Sequence, residues 1–487
     1  MTRALADTSS PTLQRGPAFL HAKLALFIGF AFAVMADPVS SVAYAIEAAT
    51  RALGNNLSLL FPTMLVVIGI IALVIANYHQ LVAIFPEGGG SAAAAGTAFG
   101  EGWAFIPLGA LVVDFVLTIA VSIAAAASAI IAYFPSIAPL RMPIVLALAV
   151  LVAGLTWFGH WGRLVFALMT LTFIAVAVVM IGSGYLHPPV PGAVPPLTPA
   201  GHRSAIFAVC LAFPVAMALA TGVEAPSSAI AQLAQLDDRG RRRFGRLTLW
   251  LTLAIVGTVT LTITWLAVRL HIGIPPADST QIADAAKAVS GRAVFAIFQA
   301  TSALLLLAAA SSSFQAGPGL LKALARSDGG GRHGLGILPA WMGRTNAHHT
   351  PYWSVVLYLG VAAAVIAAAG GRDQELVLFY AVSVFMSFLA GLLAMLKFSH
   401  HQHKRGALLL NALGTLLVGF TLLVNLLRGY PLVSLFAALL IAFTFHRLWV
   451  RAGRPRGVSF ADRMAEAELA EGGSATGAEG PGTGDDD

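Results

Sequence analysis

The sequence predicts an all-α membrane protein with about twelve transmembrane helices, and its composition, apolar run lengths and charge placement lead to that prediction. Of 487 residues, 58% are hydrophobic and only 10% are charged, and the mean hydropathy is +0.82. An ordinary soluble domain has roughly 25% charged residues. A chain with so few charges could not cover the surface of a water-soluble fold, so the composition excludes that class.

Apolar runs long enough to cross a bilayer, which takes about 20 helical residues, recur along the whole chain. We predict twelve spans, at residues 24–50, 58–84, 104–134, 142–160, 163–186, 204–234, 247–271, 293–325, 352–370, 375–398, 407–428 and 430–450. Several runs are longer than a perpendicular helix needs, so we expect them to tilt, project beyond the bilayer or be broken. No signal-peptide cleavage site follows the first run, so it is expected to remain in the mature protein.

The basic residues predict the orientation of these spans. With a cytoplasmic N-terminus, 21 of the 29 Lys and Arg residues fall on the inner side, most densely between Arg239 and Arg246. This bias agrees with the positive-inside rule for a multi-pass protein of a bacterial inner membrane with both termini cytoplasmic. We therefore interpret the net charge of +7 as a topology signal and expect the lipid bilayer, not nucleic acid, as the partner.

The predicted organisation is one helical membrane core with short additions. It comprises a cytoplasmic segment (1–23), a ten-helix core (24–398) made of repeats 24–186 and 204–398, helices 11 and 12 (407–450), and a disordered acidic cytoplasmic tail (457–487). A Pro-rich external loop (187–199) and a Gly-rich internal loop (327–336) are expected. The single cysteine, Cys210, lies in the sixth span and cannot form an intramolecular disulfide.

Carboxylates inside the spans are the most informative residues. Of 22 acidic residues, only Asp37, Asp114 and Glu224 lie deep in spans, and Glu47 lies nearer the outer end of the first span. A carboxylate at bilayer depth is costly unless it faces a cavity, a partner or a proton, so its default interpretation is functional. The structural alternative is a protonated carboxyl that caps a broken helix.

Two of these acids accompany helix-breaking residues. Residues 36–44, ADPVSSVAY, place Asp37 as a helix N-cap before Pro38, and the helix is expected to open at residues 35–37. Residues 220–228, ATGVEAPSS, repeat this combination of acid and proline in the sixth span. Breaks five spans apart predict that spans 1–5 and 6–10 are inverted repeats whose broken helices meet at a central site. The alternative at each proline is a simple kink.

Polar residues recur at helical spacing in two further spans. They are Asp114, Thr118 and Ser122 in span 3, and Tyr380, Ser383 and Ser387 in span 10. Residues three or four apart share one helix face, so each stripe points in one direction. The first stripe is predicted to line the site, and hydrogen bonding between helices is the alternative for both stripes. Span 8 offers three consecutive serines, Ser311, Ser312 and Ser313, of which Ser311 and Ser312 are weaker sodium candidates.

Together these segments resemble the amino acid-polyamine-organocation (APC) superfamily. The resemblance is carried by DPVSSVAY (37–44), FPEGGG (85–90), DFVLTIAVS (114–122), TGVEA (221–225) and YAVSVFMSF (380–388). Within the superfamily they are most similar to the KimA-type, KUP-related potassium importers. The resemblance implies a LeuT-like core of ten helices plus two, often dimeric, that imports potassium with proton coupling and needs no cofactor.

The resemblance also implies a ligand set. The family's potassium ligands would correspond to Asp37, Tyr44, Asp114, Thr118, Ser122, Thr221, Glu224 and Tyr380. Two departures are Pro38, where a small residue is usual, and the absence of the large C-terminal domain of the nearest relatives, so their regulation is not expected to carry over.

Other functions remain open on the sequence alone. The runner-up is a proton- or sodium-coupled permease for amino acids or organic cations, although three acids without a basic counterpart would repel a substrate carboxylate. An enzyme is not expected, since the spans hold no nucleophile-base pair and His160 and His271 lie at span ends. The histidines at 348–349 and 400–403 are interpreted as solvated loop residues, with metal binding as the alternative.

Overall fold

The chain folds into a bundle of membrane-spanning helices in a computed structural model that describes residues 17–158, 163–187, 204–325, 334–429 and 431–467. Within these residues the secondary structure is helical apart from one isolated bridge between Ala325 and Leu338. The helices are α1 (Pro17–Val34), α2 (Ala36–Ser40), α3 (Val42–Ala52), α4 (Leu60–Ile84), α5 (Gly90–Phe99), α6 (Phe105–Tyr133), α7 (Arg141–Trp157), α8 (Arg163–Leu186), α9 (Ala205–Ala216), α10 (Ala225–Ala229), α11 (Asp238–Arg269), α12 (Gln281–Val289), α13 (Arg292–Leu324), α14 (Tyr352–Ala368), α15 (Asp373–His401), α16 (Arg405–Leu427) and α17 (Leu432–Arg451).

The twelve predicted spans are confirmed. Ten helical segments of the described residues are long and apolar enough to cross a membrane, and two shorter apolar helices, Lys23–Val34 and Tyr352–Ala368, complete the set. Spans 1 and 6 are the discontinuous ones, built from α1 to α3 and from α9 and α10. The predicted Pro-rich loop, most of the Gly-rich loop and His160 lie outside the described residues.

Helix packing follows the predicted two-fold repeat. Spans 1, 2, 3 and 4 pack against spans 6, 7, 8 and 9 through the pairs α3–α9, α4–α11, α6–α13 and α7–α14. Span 5 (α8) packs on spans 1 and 8, and span 10 (α15) packs on spans 6 and 3, which is the same relation with the halves exchanged. The last two helices lie outside this set, where α16 packs on α15 and α17 on α6.

Small residues allow the closest of these contacts. A Cβ atom on Gly109 of α6 would lie 2.5 Å from the carbonyl oxygen of Ala438 in α17. A Cβ atom on Gly317 of α13 would lie 2.5 Å from the ring of Tyr358 in α14. Without a hydrophobic drive between helices in lipid, close packing of this kind supplies much of the association energy.

Two short helices that the hydropathy pattern did not predict close the ends of the bundle. We call the end that carries Arg239 to Arg246 the basic side. There α5 packs against α15, and on the opposite side α12 packs against α3, α8 and α13.

The chain stays ordered beyond residue 457, where the disordered tail was predicted to start. Residues 457–467 are ordered and fold back onto α5, with Val458 and Ala461 fully buried. Glu101 holds the turn, since its carboxylate accepts hydrogen bonds from the backbone N–H groups of Gly457 and Ser459 at 3.2 Å. These tertiary contacts override a composition that by itself favours disorder. Residues 468–487 lie outside the described part of the chain.

Candidate functional site

Span 1 breaks beside Pro38. Helix α1 ends at Val34 and α2 starts at Ala36, because Pro38 has no N–H to donate to the carbonyl of Val34. The prediction that Asp37 caps the second helix is wrong: Met35 occupies the N-cap position, and Asp37 lies within the first turn of α2. The break therefore directs the Asp37 side chain sideways into the bundle.

Span 6 unwinds over a longer stretch. A 3₁₀ turn, Met217–Ala220, follows α9, and Thr221 to Glu224 form a turn before α10 begins. Gly222 has a φ of 68°, which a residue with a Cβ adopts only at a cost, and Pro226 lies in the first turn of α10. The predicted break is thus confirmed, and Glu224 stands at the N-cap position of the second half-helix.

The two breaks touch each other. The Ser41 hydroxyl lies 3.1 Å from the carbonyl oxygen of Leu219, so span 1 uses a backbone acceptor that unwinding exposes in span 6. The Asp37 carboxylate lies directly against Gly222, where a Cβ atom would be 2.5 Å from Oδ2. The Tyr44 hydroxyl lies beside the Thr221 side chain. Three of the eight predicted ligands, Asp37, Tyr44 and Thr221, therefore lie at one place in the fold.

The polar stripe of span 3 faces the same place. Asp114, Thr118 and Ser122 on α6 are 6%, 1% and 0% exposed, as expected for a stripe that points into the protein. Asp114 is close enough to Asp37 and to Glu224 for their charges to repel one another. Tyr380 lies in α15, but its side chain is outside the described part of the chain, so its place in the predicted ligand set stays a prediction.

Asp37, which is half-buried, and Glu224, which is buried, have no basic partner among the described residues. The Oδ1 atom of Asp37 and the Oε2 atom of Glu224 accept no hydrogen bond from any described residue, and neither residue forms an ion pair there. Leaving a buried carboxylate oxygen unsatisfied is costly. In the part of the chain that the structure describes, no three His, Cys, Asp or Glu side chains are grouped closely enough to hold a metal ion. The acids therefore share an electrostatic environment without forming a compact all-acid chelate.

A family model for amino acid permeases matches residues 26–459, which is most of the chain. The chain belongs to this family of APC-superfamily transporters. It is a multi-pass membrane protein of a transporter family, which is not a class of enzymes.

The chain is similar to one curated relative and, more distantly, to two solved structures. The permease is 28% identical over 410 residues to the potassium transporter KimA of Bacillus subtilis, covering 78% of this chain and 63% of that protein. It also resembles the manganese transporter of Eremococcus coleocola in complex with an aromatic bis-isothiourea compound, with a TM-score of 0.45 and 14% identity over 90% of this chain and 95% of the other. A mutant of the same transporter gives a TM-score of 0.44 and 13% identity over 89% and 95% of the two chains.

The two sodium candidates of the permease lie on α13, which packs directly against α2 beside the span 1 break. Ser311 is 6% exposed and its Oγ atom lies 3.3 Å from the amide nitrogen of Gln315. The Ser312 hydroxyl donates a hydrogen bond to the carbonyl oxygen of Ala309 in the same helix, 2.8 Å away. Sodium binding at these serines stays a prediction.

A second polar cluster near Glu224 was not predicted as a unit. The hydroxyls of Ser91 and Ser387 are 2.7 Å apart, and both lie beside the fully buried hydroxyl of Tyr78, which in turn is close enough to Glu224 to feel its charge. This polar cluster of Tyr78, Ser91 and Ser387 joins α4, α5 and α15 on the basic side of the site. The sequence signal was the run FPEGGG, whose glycines 88, 89 and 90 all have positive φ and turn the chain into α5.

One further acid reaches this region from the ordered end of the chain. Asp462 is 7% exposed and lies beside Ser228 of α10, close to Gly90. Burial raises the pKa of the Asp462 carboxyl, and the hydrogen bond with Ser228 opposes that rise. It was missed because it lies in the segment whose composition predicts disorder.

Glu47 belongs to a separate network that closes the opposite side. It forms an ion pair with Arg51 at 2.8 Å and accepts a hydrogen bond from the backbone N–H of Gln281 at 3.0 Å. This basic neighbour explains how an acid that is only 4% exposed is tolerated. Nearby, the Ser128 hydroxyl donates to Asp373 at 2.7 Å and is itself bonded by Arg141. The first set of bonds ties span 1 to α12, and the second ties spans 3, 4 and 10 together.

Proposed function

We propose that this permease is a secondary active transporter that takes up potassium, a monovalent cation, coupled to protons. The observation that carries the proposal concerns the two touching helix breaks. There the Oδ1 atom of Asp37 and the Oε2 atom of Glu224 are buried, and neither residue has a basic partner among the described residues. Such charges are tolerated inside a membrane protein when a cation or a proton neutralises them.

The atoms available around the breaks suit a desolvated alkali cation. Hydroxyls of Tyr44, Thr118, Ser122 and Thr221 supplement the carboxylates, and the Ser122 oxygen has no described hydrogen-bond partner. The carbonyl oxygen of Thr221 accepts no hydrogen bond from any described backbone N–H. Neutral carbonyl and hydroxyl oxygens replace the hydration shell of potassium in protein sites. The name of the Bacillus subtilis relative supports this cargo.

Proton coupling follows from the mutual repulsion of the three acids. When the cation leaves, its charge no longer offsets Asp37, Asp114 and Glu224, which then bind a proton more readily. We assign the proton to the three acids together rather than to one residue. Rocking of the half-helices against the remaining bundle would expose the site to each side in turn.

The proposed setting is a bacterial inner membrane with both termini in the cytoplasm. The basic side of the bundle would then face the cytoplasm, as the positive-inside rule requires. The side closed beneath α12 would be the external one. We also propose a homodimer, in line with the resemblance, and no cofactor.

The second candidate is transport of an amino acid or organic cation, which the family description favours. An amino acid brings a carboxylate that must be bound by N–H groups or basic side chains. At the span 6 break, however, the backbone N–H groups of Thr221, Val223 and Ala225 already donate to carbonyls within the turn. An organic cation meets no such obstacle and remains the better form of this alternative.

Complementation tests the proposal. The gene for this permease is expressed in a bacterium that lacks potassium uptake, and growth is measured at low potassium. We expect rescue by the wild type and none by Asp37→Asn, Asp114→Asn or Glu224→Gln. The matched control is Glu375→Gln, which removes one exposed carboxylate of α15 and should rescue fully.

Two outcomes would overturn the proposal. Rescue by Asp114→Asn equal to the wild type would remove the site assignment. Failure of the wild type to rescue, together with uptake of a labelled amino acid or polyamine by the same cells, would establish the second candidate instead.

A further inference from the structure

Helix α11 extends well beyond the hydrocarbon core. Its 32 residues make a helix about 48 Å long, against a hydrocarbon thickness of about 30 Å. The apolar run begins near residue 247, and the helix begins at Asp238. Its first two turns therefore stand at the level of the lipid headgroups on the basic side.

These turns carry a basic groove. Arg239, Arg242, Arg243 and Arg246 recur at the spacing of one helix face and, with Leu247 and Trp250, line a shallow open depression of about 470 Å³. Leu247 and Trp250 are 49% and 42% exposed, so the groove runs from guanidinium groups to an exposed apolar end. Acidic residues do not line it.

The arginines of the groove lack anionic partners within the described residues. Arg241, which does not line the groove, pairs with Asp238 at 2.6 Å. By contrast, no ion pair involves Arg239, Arg242, Arg243 or Arg246, and the buried Nε atom of Arg242 has no hydrogen-bond partner. Arg246 donates only to the carbonyl oxygen of His79, at 3.2 Å. Four guanidinium groups side by side on one helix face repel one another unless an anion lies among them.

We propose that this groove binds the phosphate headgroup of an anionic phospholipid, with the acyl chains running along Leu247 and Trp250. Guanidinium groups bind phosphate oxygens in a bidentate manner, and basic pockets at helix ends are known binding places for anionic headgroups. The indole N–H of Trp250 donates a hydrogen bond to Nδ1 of His79 at 3.1 Å, and this bond fixes the orientation of the Trp250 ring beside the arginines.

The groove's position favours a lipid over a soluble anion. An exposed tryptophan and leucine directly next to the arginines would be solvated poorly in water but match the acyl chain region of a leaflet. Helix α11 packs on α4 and also contacts α10, the half-helix that follows Glu224. A bound lipid would therefore stabilise the helices that support the transport site.

Native mass spectrometry of the purified permease tests this inference without a transport measurement. Phosphatidylglycerol and phosphatidylcholine are titrated onto the wild type, Arg242→Gln, Arg243→Gln and the matched control Arg241→Gln. We expect preferential binding of phosphatidylglycerol by the wild type and control, weakened by about fivefold in each groove variant. Melting temperatures with each lipid provide a second readout.

Three results would overturn the inference. They are equal binding of the two lipids by the wild type, equal weakening in Arg241→Gln and in the groove variants, and stabilisation by inorganic phosphate alone that matches the effect of the lipid. If a groove variant cannot be purified, Arg239→Gln takes its place with the same expectation, because Arg239 lies at the end of the groove away from Trp250.

Discussion

Replacing Gly222 by alanine tests the contact between the two broken helices. The backbone of Gly222 has a φ of 68°, and an added Cβ atom would lie 2.5 Å from Oδ2 and 2.8 Å from Cγ of Asp37. A left-handed conformation costs an alanine about 1–2 kcal/mol. The contact distance lies far inside van der Waals contact, so either the Asp37 carboxylate or the span 6 turn must also shift.

The expected consequence is a loss of transport greater than the loss of stability. Because 1.4 kcal/mol corresponds to a tenfold change in an equilibrium constant, the backbone term alone should lower the equilibrium constant for forming the intact site by about tenfold. Uptake of radioactive rubidium into proteoliposomes measures the transport rate, and thermal unfolding of the same preparation measures stability. We expect an uptake at least about tenfold lower than wild type.

The matched control is Gly69→Ala in α4, where an added Cβ atom has nothing within 4 Å. A helix-interior glycine replaced by alanine should gain about 0.5–1 kcal/mol and leave uptake unchanged. Wild-type uptake by Gly222→Ala would refute the conclusion that the Asp37 carboxylate must lie against the span 6 backbone. Reduced uptake in both variants would point to a general effect of substitution.

Three further predictions concern stability and closure. Gly317→Ala should lower the melting temperature, because its Cβ atom would lie 2.5 Å from the Tyr358 ring, whereas Gly154→Ala, with open space around it, should not. Asp462→Asn should be more stable than wild type at neutral pH. The pKa of Asp462 is raised, so protonation of this carboxyl stabilises the folded protein. That stabilisation is complete at pH values below the ordinary pKa of 3.8 and is lost as the pH rises through the raised pKa. Melting temperatures of wild type and variant that stay parallel from acid to neutral pH would contradict this. Glu47→Gln breaks the Arg51 ion pair, so we expect faster modification of a cysteine placed at Gln281, and an unchanged rate would argue against closure by this network.

Local chemistry in the sequence accounts for the spans, both breaks and the principal acids. Apolar run length determines a membrane helix because every backbone group in lipid must be bonded within the segment. Pro38 and Pro226 mark the breaks because proline removes a backbone donor wherever it stands. The spacing of Asp114, Thr118 and Ser122 placed them on one face, and the structure buries that face. The pairing of Glu47 with Arg51, four residues apart, could also have been predicted from spacing.

Contacts between residues far apart in the chain were decided by the tertiary structure alone. Asp37 meets Gly222, Ser91 meets Ser387, and Asp462 reaches Ser228, and no periodic pattern in the sequence encodes such distances. Residues 457–467 have a composition typical of disorder but become ordered because α5 offers a surface to bury Val458 and Ala461. The sequence by itself thus determined which groups enter the membrane, since that depends on local transfer energies. Which groups meet there depends on packing between helices, and only the folded chain decides it.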